Sequence, residues 1–436
     1  MMKIGLMEAW FPMYQGGMER IRHLGRALAI LGHEVHCLLV KLSSAEDAEP
    51  AFGTGLCNLH VHTIPIVDLT RVAGKVSDSI REMMGTSGSF IIEIAEELGY
   101  VFMPPHNQEA YRNIGQTFFE LLGELDLDVL QITDGYSHFG QIIKRIHPDL
   151  HLNLLLHSYP TVFRYMEELG PMLESMGKPK VTYEQIIGEF RQLIRIFDSI
   201  WAVSPEFADT ASADLHIPRD EIQVHEVGIW TDEFFHEPVP GFKEKRGWTG
   251  EVLLFVGRIE PQKGLHNLIS AFPAVLDRFP DARLVIAGNM SDFPSYAISL
   301  KSIARALGIH DRVNTIGFVS GEVKQNVYAA CDLFISPYIA SDSAGITLLE
   351  AMASAKPAVV SNLGFAGRIV SERLGRRCPP NDTMALADSI VGLLQDTHQR
   401  QAMGQAARDF VRQKYNWTQL ASRAAASFQS KIKSFQ

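Results

Sequence analysis

The chain has 436 residues, of which 46% are hydrophobic and 21% are charged, a composition typical of a soluble protein with two or three domains. Its formal net charge of −10 argues against a nucleic-acid-binding protein, because no basic excess is available to replace phosphate counterions. The four cysteines lie far apart without a CxxC pair, so neither a cysteine-based zinc site nor a disulfide framework is predicted.

The N-terminal sequence MMKIGLMEAWFP contains one lysine and no long apolar region, so it is not predicted to be a signal peptide. No apolar run approaches the roughly 18 residues of a membrane-spanning helix. These observations favour a cytoplasmic protein without a transmembrane segment.

Short apolar runs alternate with amphipathic stretches along the chain, a pattern that predicts alternating strands and helices. The predicted strands of the first half are 3–8, 35–40, 59–66, 128–133, 151–157 and 199–204. The pattern restarts with predicted strands at 251–257, 282–288, 312–317, 332–337 and 357–361. Strands that are apolar on both faces indicate parallel sheets covered by helices on either side, so we expect an α/β fold with two doubly wound, Rossmann-like domains.

The stretch FFHEPVPGFKEKRGWTGE, residues 234–251, separates the two patterns and is rich in proline, glycine and charge, as is typical of a linker. Two segments of the first half, 68–127 and 158–198, are predicted to be helical insertions. The second contains an apolar stripe that predicts a core-facing helix, with a membrane-surface or partner-docking helix as the alternative. The stripe consists of Ile186, Ile187, Phe190, Leu193, Ile194 and Phe197.

Several familiar motifs are absent or incomplete. No GxGxxG follows the first strand and no GxxxxGK[ST] occurs, which removes the main support for a dinucleotide-binding dehydrogenase. The sequence HEVH, residues 33–36, lacks the spacing of a zinc protease and is expected to begin a strand. Asp126 and Asp128 could form a metal-binding DxD pair, but an aspartate at a strand entrance is common. We therefore predict no metal site.

Polar and glycine residues follow several predicted strands, where a doubly wound sheet places its ligand site. Gly16 and Gly17 stand between the first strand and a helix expected to start near Met18, and could let an anion approach the helix N-terminus or simply form a turn. Arg258 and Lys263 follow the strand 251–257. Together they could meet a diphosphate, with two solvated surface charges as the alternative.

The segment SDSAGITLLEAMASAKPAVVS, residues 341–361, carries two acids. If a helix begins near Gly345, Glu350 falls on the rim of its apolar face. A carboxylate in that position needs a hydrogen-bonding partner, which could be the vicinal hydroxyls of a sugar or a group of the protein itself. Asp342, just outside the helix, could contact a ligand or serve as an N-terminal cap.

Two further residues follow predicted strands. His157 ends the run HLNLLLH and is expected to point into a crevice between the domains, although a lone histidine is more often structural. Phe318 follows the strand 312–317 and could lie beside a flat ring. Together the candidates describe one interdomain cleft.

The segments GRIEPQKGLHNLISAF and SDSAGITLLEAMASAKPAVVS give the chain a family resemblance. The chain resembles the retaining, nucleotide-sugar-dependent glycosyltransferases of family 4 over nearly its whole length, most strongly over 251–395. The resemblance implies the GT-B fold, with two Rossmann-like domains facing each other across a cleft. It implies an acceptor-binding domain at 1–235, a nucleotide-sugar-binding domain at 236–415, and a C-terminal helix at 416–436 that packs back on the first domain.

The resemblance also implies roles for residues of the second domain. Arg258 and Lys263 would neutralise the diphosphate of the donor. Glu350, the second acid of the family's E-x7-E motif, would hold the nucleotide ribose. The backbone that would meet the phosphate and sugar belongs to Gly345, Ile346 and Thr347.

Other positions match the family's motifs in the same way. Gly16 and Gly17 match the glycine loop near the diphosphate, His157 matches the crevice histidine near the transferred sugar, and Phe318 matches the base-contacting loop. Asp342 replaces the first Glu of the motif and is shorter by one methylene. In the family this acid contacts hydroxyls of the donor sugar, so Asp342 could reset donor preference, act through water, or signal weakened activity.

The resemblance implies a retaining, metal-independent transfer of a sugar from a nucleoside-diphosphate sugar to an acceptor hydroxyl. No cofactor is expected, a UDP-sugar is favoured over a GDP- or ADP-sugar, and the acceptor could be a sugar, a glycan or a lipid-linked molecule. The expected catalytic residues are His157, Arg258, Lys263 and Asp342. Alternatives are a GT-B phosphorylase or epimerase, and a non-catalytic protein that binds sugar nucleotides. The insertions could also form the interface of a homo-oligomer.

Overall fold

A computed structural model describes residues 1–10, 15–42, 55–66, 121–134, 137, 139–157, 182–291, 293–340 and 345–433. The chain forms two compact units. The first contains the described residues up to Val227 together with those from Trp417 onward, and the second contains the described residues from Gly228 to Asn416.

The strands alternate with helices throughout the part of the chain that the structure describes. The strands are β1 (Lys3–Trp10), β2 (Glu34–Leu42), β3 (Leu59–Ile66), β4 (Val129–Thr133), β5 (His151–Leu156), β6 (Ser199–Ala202), β7 (Ile222–Val224), β8 (Val252–Val256), β9 (Arg283–Ala287), β10 (Val313–Gly317), β11 (Leu333–Ser336), β12 (Ala358–Ser361) and β13 (Gly375–Cys378). The helices are α1 (Gln15–Ile30), α2 (Phe139–Ile146), α3 (Tyr183–Leu193), α4 (Pro205–Leu215), α5 (Thr231–Phe234), α6 (Leu265–Leu276), α7 (Pro294–Ala306), α8 (Gly321–Ala330), α9 (Ile346–Ala353), α10 (Gly364–Ile369), α11 (Thr383–Gln395), α12 (Thr397–Lys414) and α13 (Trp417–Lys433).

Each unit is built on one parallel sheet. The first sheet has the order β3-β2-β1-β4-β5-β6-β7, and the second has the order β10-β9-β8-β11-β12-β13. In the first unit, β2 and β3 lie on one side of β1, and the strands from β4 onward lie on its other side. In the second unit, β9 and β10 lie on one side of β8, and the strands from β11 onward lie on its other side. The strand order thus reverses between β1 and β4 and between β8 and β11. In a doubly wound sheet these reversals are the switch points, where a crevice opens beyond the carboxyl ends of the strands.

Aspartates at strand entrances help to align the sheets. The carboxylate of Asp128 accepts a hydrogen bond from the backbone N–H of Lys3 at 2.7 Å, across the β1–β4 pair. Asp332 accepts one from Val252 at 2.9 Å, at the equivalent β8–β11 pair. Satisfying the first backbone donor of a neighbouring strand fixes the register of two buried strands. Asp128 thus has a structural partner, as expected for an aspartate at a strand entrance.

The eleven predicted strands are all present, because buried parallel strands are continuous apolar runs in the sequence. Two strands were missed. β7 has three residues, and β13 has the sequence GRRC. Both lie at sheet edges, where less of the strand is buried and the apolar signal is weak.

The helix α3 confirms the core-facing interpretation of the apolar stripe. Ile187 and Phe190 are buried, as are Ile194 and Phe197 just beyond the helix. The helix begins with a capping box between Thr182 and Gln185. The rest of the two predicted insertions lies almost entirely outside the described residues.

The segment 234–251 differs from a linker. Phe234, Phe242 and Trp248 are buried in the core of the second unit, and the boundary between the units falls at Val227 and Gly228. Three large apolar side chains spaced irregularly among prolines and charges give no periodic signal, yet each fills part of the core.

The C-terminal helix α13 belongs to the first unit. Its Phe428 stacks on Trp201 of β6 with ring centroids 4.4 Å apart, and both side chains are almost fully buried. Among the described residues, no helix combines the length and apolar character needed to cross a membrane.

Candidate functional site

The switch point of the first unit carries two buried carboxylates. Glu8 lies near the carboxyl end of β1, and Asp134 directly follows β4. His157 directly follows β5, the next strand in the sheet. Because these strands are parallel neighbours, the three side chains reach the same edge of the sheet.

The imidazole of His157 contacts both carboxylates. Its Nδ1 lies 3.0 Å from Oδ1 of Asp134, and its backbone N–H donates to Oδ2 of the same carboxylate at 3.0 Å. Its Nε2 lies 3.6 Å from Oε2 of Glu8, whose other oxygen accepts a hydrogen bond from the Thr133 hydroxyl at 3.1 Å. The imidazole therefore has a fixed orientation.

This environment keeps His157 charged. Burial is the largest single influence and by itself lowers the pKa, but the charges of Glu8 and Asp134 and the hydrogen bond to Asp134 together outweigh it and raise the pKa to about 9. The side chain is still 20% exposed. At neutral pH the ring is therefore a cation that can donate a hydrogen bond and cannot act as a general base.

Gly16 and Gly17 lie in the first turn of α1, which starts at Gln15. The prediction of a helix starting near Met18 was therefore late by one turn, because two glycines weaken the helical signal. Their backbone N–H groups are among those at a helix N-terminus that have no acceptor within the helix itself, and such groups can bind an anion. Arg20, in the same helix, is buried and donates to the side chain of Gln131 at 2.9 Å.

The switch point of the second unit gathers the two predicted cations around a carboxylate. Arg258 follows β8, and its Nη1 lies 2.9 Å from Oε2 of Glu260. The Nζ of Lys263 lies 3.9 Å from the other oxygen of that carboxylate and 4.1 Å from the ring centroid of Tyr338. Glu260 is 1% exposed, whereas the Arg258 side chain is 49% exposed.

The loop that carries these cations is packed tightly against the chain that follows β11. Gly264 has φ of 66°, and a Cβ atom there would lie 1.9 Å from the carbonyl oxygen of Pro337. The backbone N–H of Ile339 donates to the carbonyl of Gln262 at 2.9 Å. The loop is thus fixed at the edge of the sheet, with the Arg258 guanidinium available to solvent.

The helix α9 begins at the same edge, as predicted. Gly345 is its N-cap residue, with φ of 55°, and a Cβ there would lie 2.2 Å from the Phe365 ring. Gly345 and Thr347 line a pocket with Ser336 and Tyr338. The first backbone N–H groups of α9, including those of Ile346 and Thr347, have no acceptor within the helix itself. Asp342 lies outside the described residues.

Glu350, one turn into α9, has partners within the protein. It is 3% exposed, and its Oε1 lies 2.6 Å from Nζ of Lys324. Its Oε2 accepts a hydrogen bond from the Tyr328 hydroxyl at 2.8 Å. Burial, followed by the charge of Glu350, raises the pKa of Tyr328 well above 10, so that hydroxyl stays protonated and donates. Groups of the protein therefore satisfy the Glu350 carboxylate, which was the alternative to a sugar ligand. Each carboxylate oxygen still has a further lone pair that can accept a hydrogen bond.

Phe318 follows β10, an edge strand that β9 separates from β8. Its side chain is 56% exposed. The structure therefore brings Arg258 and Lys263 together and places the start of α9 at the same switch point, whereas Phe318 stands at the outer strand.

The predictions missed the partners of the site residues. Glu260 was visible between the two cations in GRIEPQKG, and Asp134 directly follows a predicted strand. Glu8 ends the run KIGLME, so a polar residue at the end of an apolar strand was the available signal. Lys324 and Tyr328 gave no signal, since they lie 26 and 22 positions from Glu350.

Comparisons with known proteins agree with the predicted family. Residues 241–410 match the family Glycosyl transferases group 1. A phosphatidyl-myo-inositol mannosyltransferase of Mycobacterium leprae is 34% identical over 175 residues, which are 40% of this chain and 45% of the relative. A mannosylfructose-phosphate synthase of Agrobacterium fabrum is 29% identical over 268 residues, 58% of this chain and 56% of the relative. The chain thus spans about half the length of these relatives.

Solved structures match over the full length. Anabaena HepE in complex with UDP and glucose has a TM-score of 0.69 and 19% identity, covering 99% of this chain and 100% of HepE. A sucrose-phosphate synthase from Thermosynechococcus elongatus has a TM-score of 0.70 and 18% identity, covering 100% of both chains. At this identity the likeness establishes the fold, and it confirms the predicted GT-B fold. Over residues 241–410 the chain is similar to the group 1 glycosyltransferases.

Proposed function

We propose that the chain is a retaining glycosyltransferase that moves a sugar from a nucleoside-diphosphate sugar to an acceptor hydroxyl, without a divalent metal. The observation that carries this proposal is the pair of cations, Arg258 and Lys263, held by the buried carboxylate of Glu260 at the switch point of the second sheet. The first unit would bind the acceptor, and the second would bind the donor.

The chemical demand of this reaction is the departure of a nucleoside diphosphate. Negative charge develops on the phosphate oxygen that leaves the anomeric carbon. Arg258 can donate paired hydrogen bonds to phosphate oxygens, and Lys263 supplies a point charge. The N-terminus of α9 adds further donors at Gly345, Ile346 and Thr347. Two fixed cations supply the stabilisation that a metal ion would otherwise give.

His157 contributes a positive charge in this mechanism. With a pKa of about 9, it is protonated at neutral pH and cannot remove the proton of the acceptor. It would orient the donor sugar or stabilise a developing negative charge. The acceptor oxygen attacks the anomeric carbon from the same face from which the leaving group departs. A phosphate oxygen of the donor accepts the proton of the acceptor hydroxyl. This route needs no protein nucleophile and retains the anomeric configuration.

The remaining predicted residues would determine donor recognition. Glu350 would accept hydrogen bonds from the ribose on its free lone pairs, Phe318 would contact the base, and Asp342 would contact the sugar. Gly16 and Gly17 would give the diphosphate access to the N-terminus of α1. The relatives' names include a GDP-mannose-dependent mannosyltransferase, and HepE was solved with UDP, so both nucleotides enter the test beside the expected UDP-sugar.

The first test measures the thermal stability of the chain with UDP, GDP, ADP and dTDP, each with and without magnesium. A nucleotide at one hundred times its Kd adds about 2.7 kcal/mol of stability. We expect one nucleotide to stabilise the wild type without magnesium. Replacement Arg258→Gln removes a charge-assisted hydrogen bond and should weaken that binding about tenfold to a hundredfold.

The matched control is Arg412→Gln, which removes an exposed arginine in the last turn of α12. It should leave nucleotide binding unchanged. Absence of stabilisation by all four nucleotides, or equal loss in both variants, contradicts the proposed donor site.

With the donor that is found, the anomeric configuration of the transferred sugar in the product, read by NMR coupling constants, tests retention. Cleavage that requires phosphate and no nucleotide would identify a phosphorylase instead.

A further inference from the structure

The face of the first sheet at β2 and β3 carries a group of histidines that the proposed transfer does not use. Glu34 and His36 are alternate residues of β2, and His60 and His62 are alternate residues of β3. In a strand, alternate side chains point to the same face. These four residues are hereafter the histidine cluster.

The register of the two strands places all four side chains together. His36 pairs with His60, and Leu38 pairs with His62. On the opposite face, a Cβ atom added at Gly25 of α1 would lie 3.0 Å from the Cys37 sulfur and 3.4 Å from Leu59. Cys37 and Leu59 therefore face α1, and the histidine cluster occupies the face away from that helix.

The donor atoms of the histidine cluster converge. One ligand atom each of Glu34, His36 and His60 lies within 4.8 Å of the others. His36 Nε2 is 3.1 Å from Oε1 of Glu34, and its Nδ1 is 2.9 Å from Nε2 of His62. The rings of His36 and His60 stack with centroids 4.8 Å apart. Small rotations of these side chains would bring three donors around one ion.

We propose that Glu34, His36 and His60 bind a first-row divalent cation of the zinc type, with His62 as the partner that orients His36. Two imidazole nitrogens and one carboxylate oxygen form a donor set that suits Zn²⁺. When His36 Nε2 binds the ion, its Nδ1–H donates to His62, which fixes the ring and its tautomer as outer partners of metal-bound histidines do. Water would complete a tetrahedral site.

The position of the site indicates a structural role. Glu34 is the first residue of β2, and His60 is the second residue of β3, so the ion would lie at the amino ends of these strands. Glu8 and His157 lie at the opposite end of the parallel strands, near the carboxyl ends of β1 and β5. β3 is an edge strand, and a metal ion bound across β2 and β3 would fasten it to the sheet.

Isothermal titration of untagged, EDTA-treated full-length chain with Zn²⁺ tests the proposal. We expect one equivalent to bind to the wild type and to raise its melting temperature. His62→Gln should weaken binding about tenfold to a hundredfold, and His36→Gln or His60→Gln should weaken it more. Co²⁺ in place of Zn²⁺ should give the visible absorption of a tetrahedral ion, and His60→Gln should abolish it.

His398→Gln is the control, since His398 is an exposed histidine of the second unit. It should keep the full affinity and the thermal shift. If the buried position of His36 does not tolerate replacement, Glu34→Gln is the second test variant, and it should also weaken Zn²⁺ binding. Absence of a stoichiometric site, or a loss in His398→Gln equal to that in His60→Gln, would overturn the proposal. Nucleotide binding at the second unit is unaffected by either result.

Discussion

The ion pair between Lys324 and Glu350 allows a sharp stability prediction. Glu350 is 3% exposed. Among the described residues its one charged partner is Lys324, whose Nζ lies 2.6 Å from Oε1 of the carboxylate. Replacement Lys324→Met keeps most of the side chain but removes its charge, so that the Tyr328 hydroxyl is the remaining partner of the buried carboxylate among the described side chains. Breaking a buried pair by removing one partner costs about 3–5 kcal/mol. Because the Lys324 side chain is 22% exposed, water can reach the gap, and we expect about 3 kcal/mol.

The loss should be visible in the thermal transition of the second unit. For a unit of its size, 1 kcal/mol corresponds to roughly 2–4 °C, so Lys324→Met should lower the melting temperature by about 6–12 °C. The matched control is Lys356→Met. Lys356 donates to the neutral carbonyl of Ala329 at 2.8 Å, and its loss should cost only about 1 kcal/mol.

A second replacement separates the charge from the packing. In Lys324→Met with Glu350→Gln, the buried group is neutral, so the double variant should be more stable than Lys324→Met alone by about 1–2 kcal/mol. Calorimetry or urea denaturation measures both variants. If the double variant is no more stable than the single one, or if Lys324→Met and Lys356→Met lose equal stability, the carboxylate does not depend on Lys324 and the reasoning fails.

Three further predictions concern stability. His157 has a folded-state pKa of about 9 against an ordinary value near 6.5, so its charged form stabilises the fold fully below pH 6.5 and this contribution disappears as pH rises through 9. The difference in unfolding free energy between wild type and His157→Gln should therefore fall by about 3 kcal/mol from pH 6 to pH 10, and a constant difference in urea titrations would contradict it. Gly264→Ala should cost more than 2 kcal/mol, whereas Gly308→Ala, with a similar φ of 69° but open space around it, should cost about 1 kcal/mol in the same melts. Phe428→Ala should cost about 3–5 kcal/mol in the melting transition of the first unit, and an unchanged transition would show that α13 contributes little to it.

The sequence predicted most strands because burial on both faces leaves an unbroken apolar run. It could not predict β13, because the charged Arg376 and Arg377 make up half of this four-residue strand and interrupt any apolar run. The segment 234–251 was misjudged for a related reason. Isolated buried side chains such as Phe242 and Trp248 have no periodicity, and only the folded core shows what they pack against.

The candidate site was predictable where the chain places a polar residue after an apolar strand. His157 and Arg258 were found in this way. Their carboxylate partners show why position alone was insufficient. Asp134 lies 23 positions from His157, and its side chain meets the imidazole only because β4 and β5 are neighbours in the sheet.

The two switch points share one physical arrangement. In each, a nearly buried carboxylate holds a cation that keeps some contact with solvent. Asp134 holds His157, which is 20% exposed, and Glu260 holds Arg258, which is 49% exposed. A cation held this way keeps its charge and its orientation before a ligand arrives, so binding an anionic group requires little further ordering. An exposed lysine or arginine without such a partner would lose its side-chain entropy on binding. Asp134 and Glu260 were not predicted from the sequence, whereas His157 and Arg258 were. The two buried acids would therefore act on the sugar and phosphate indirectly, by holding these two cations.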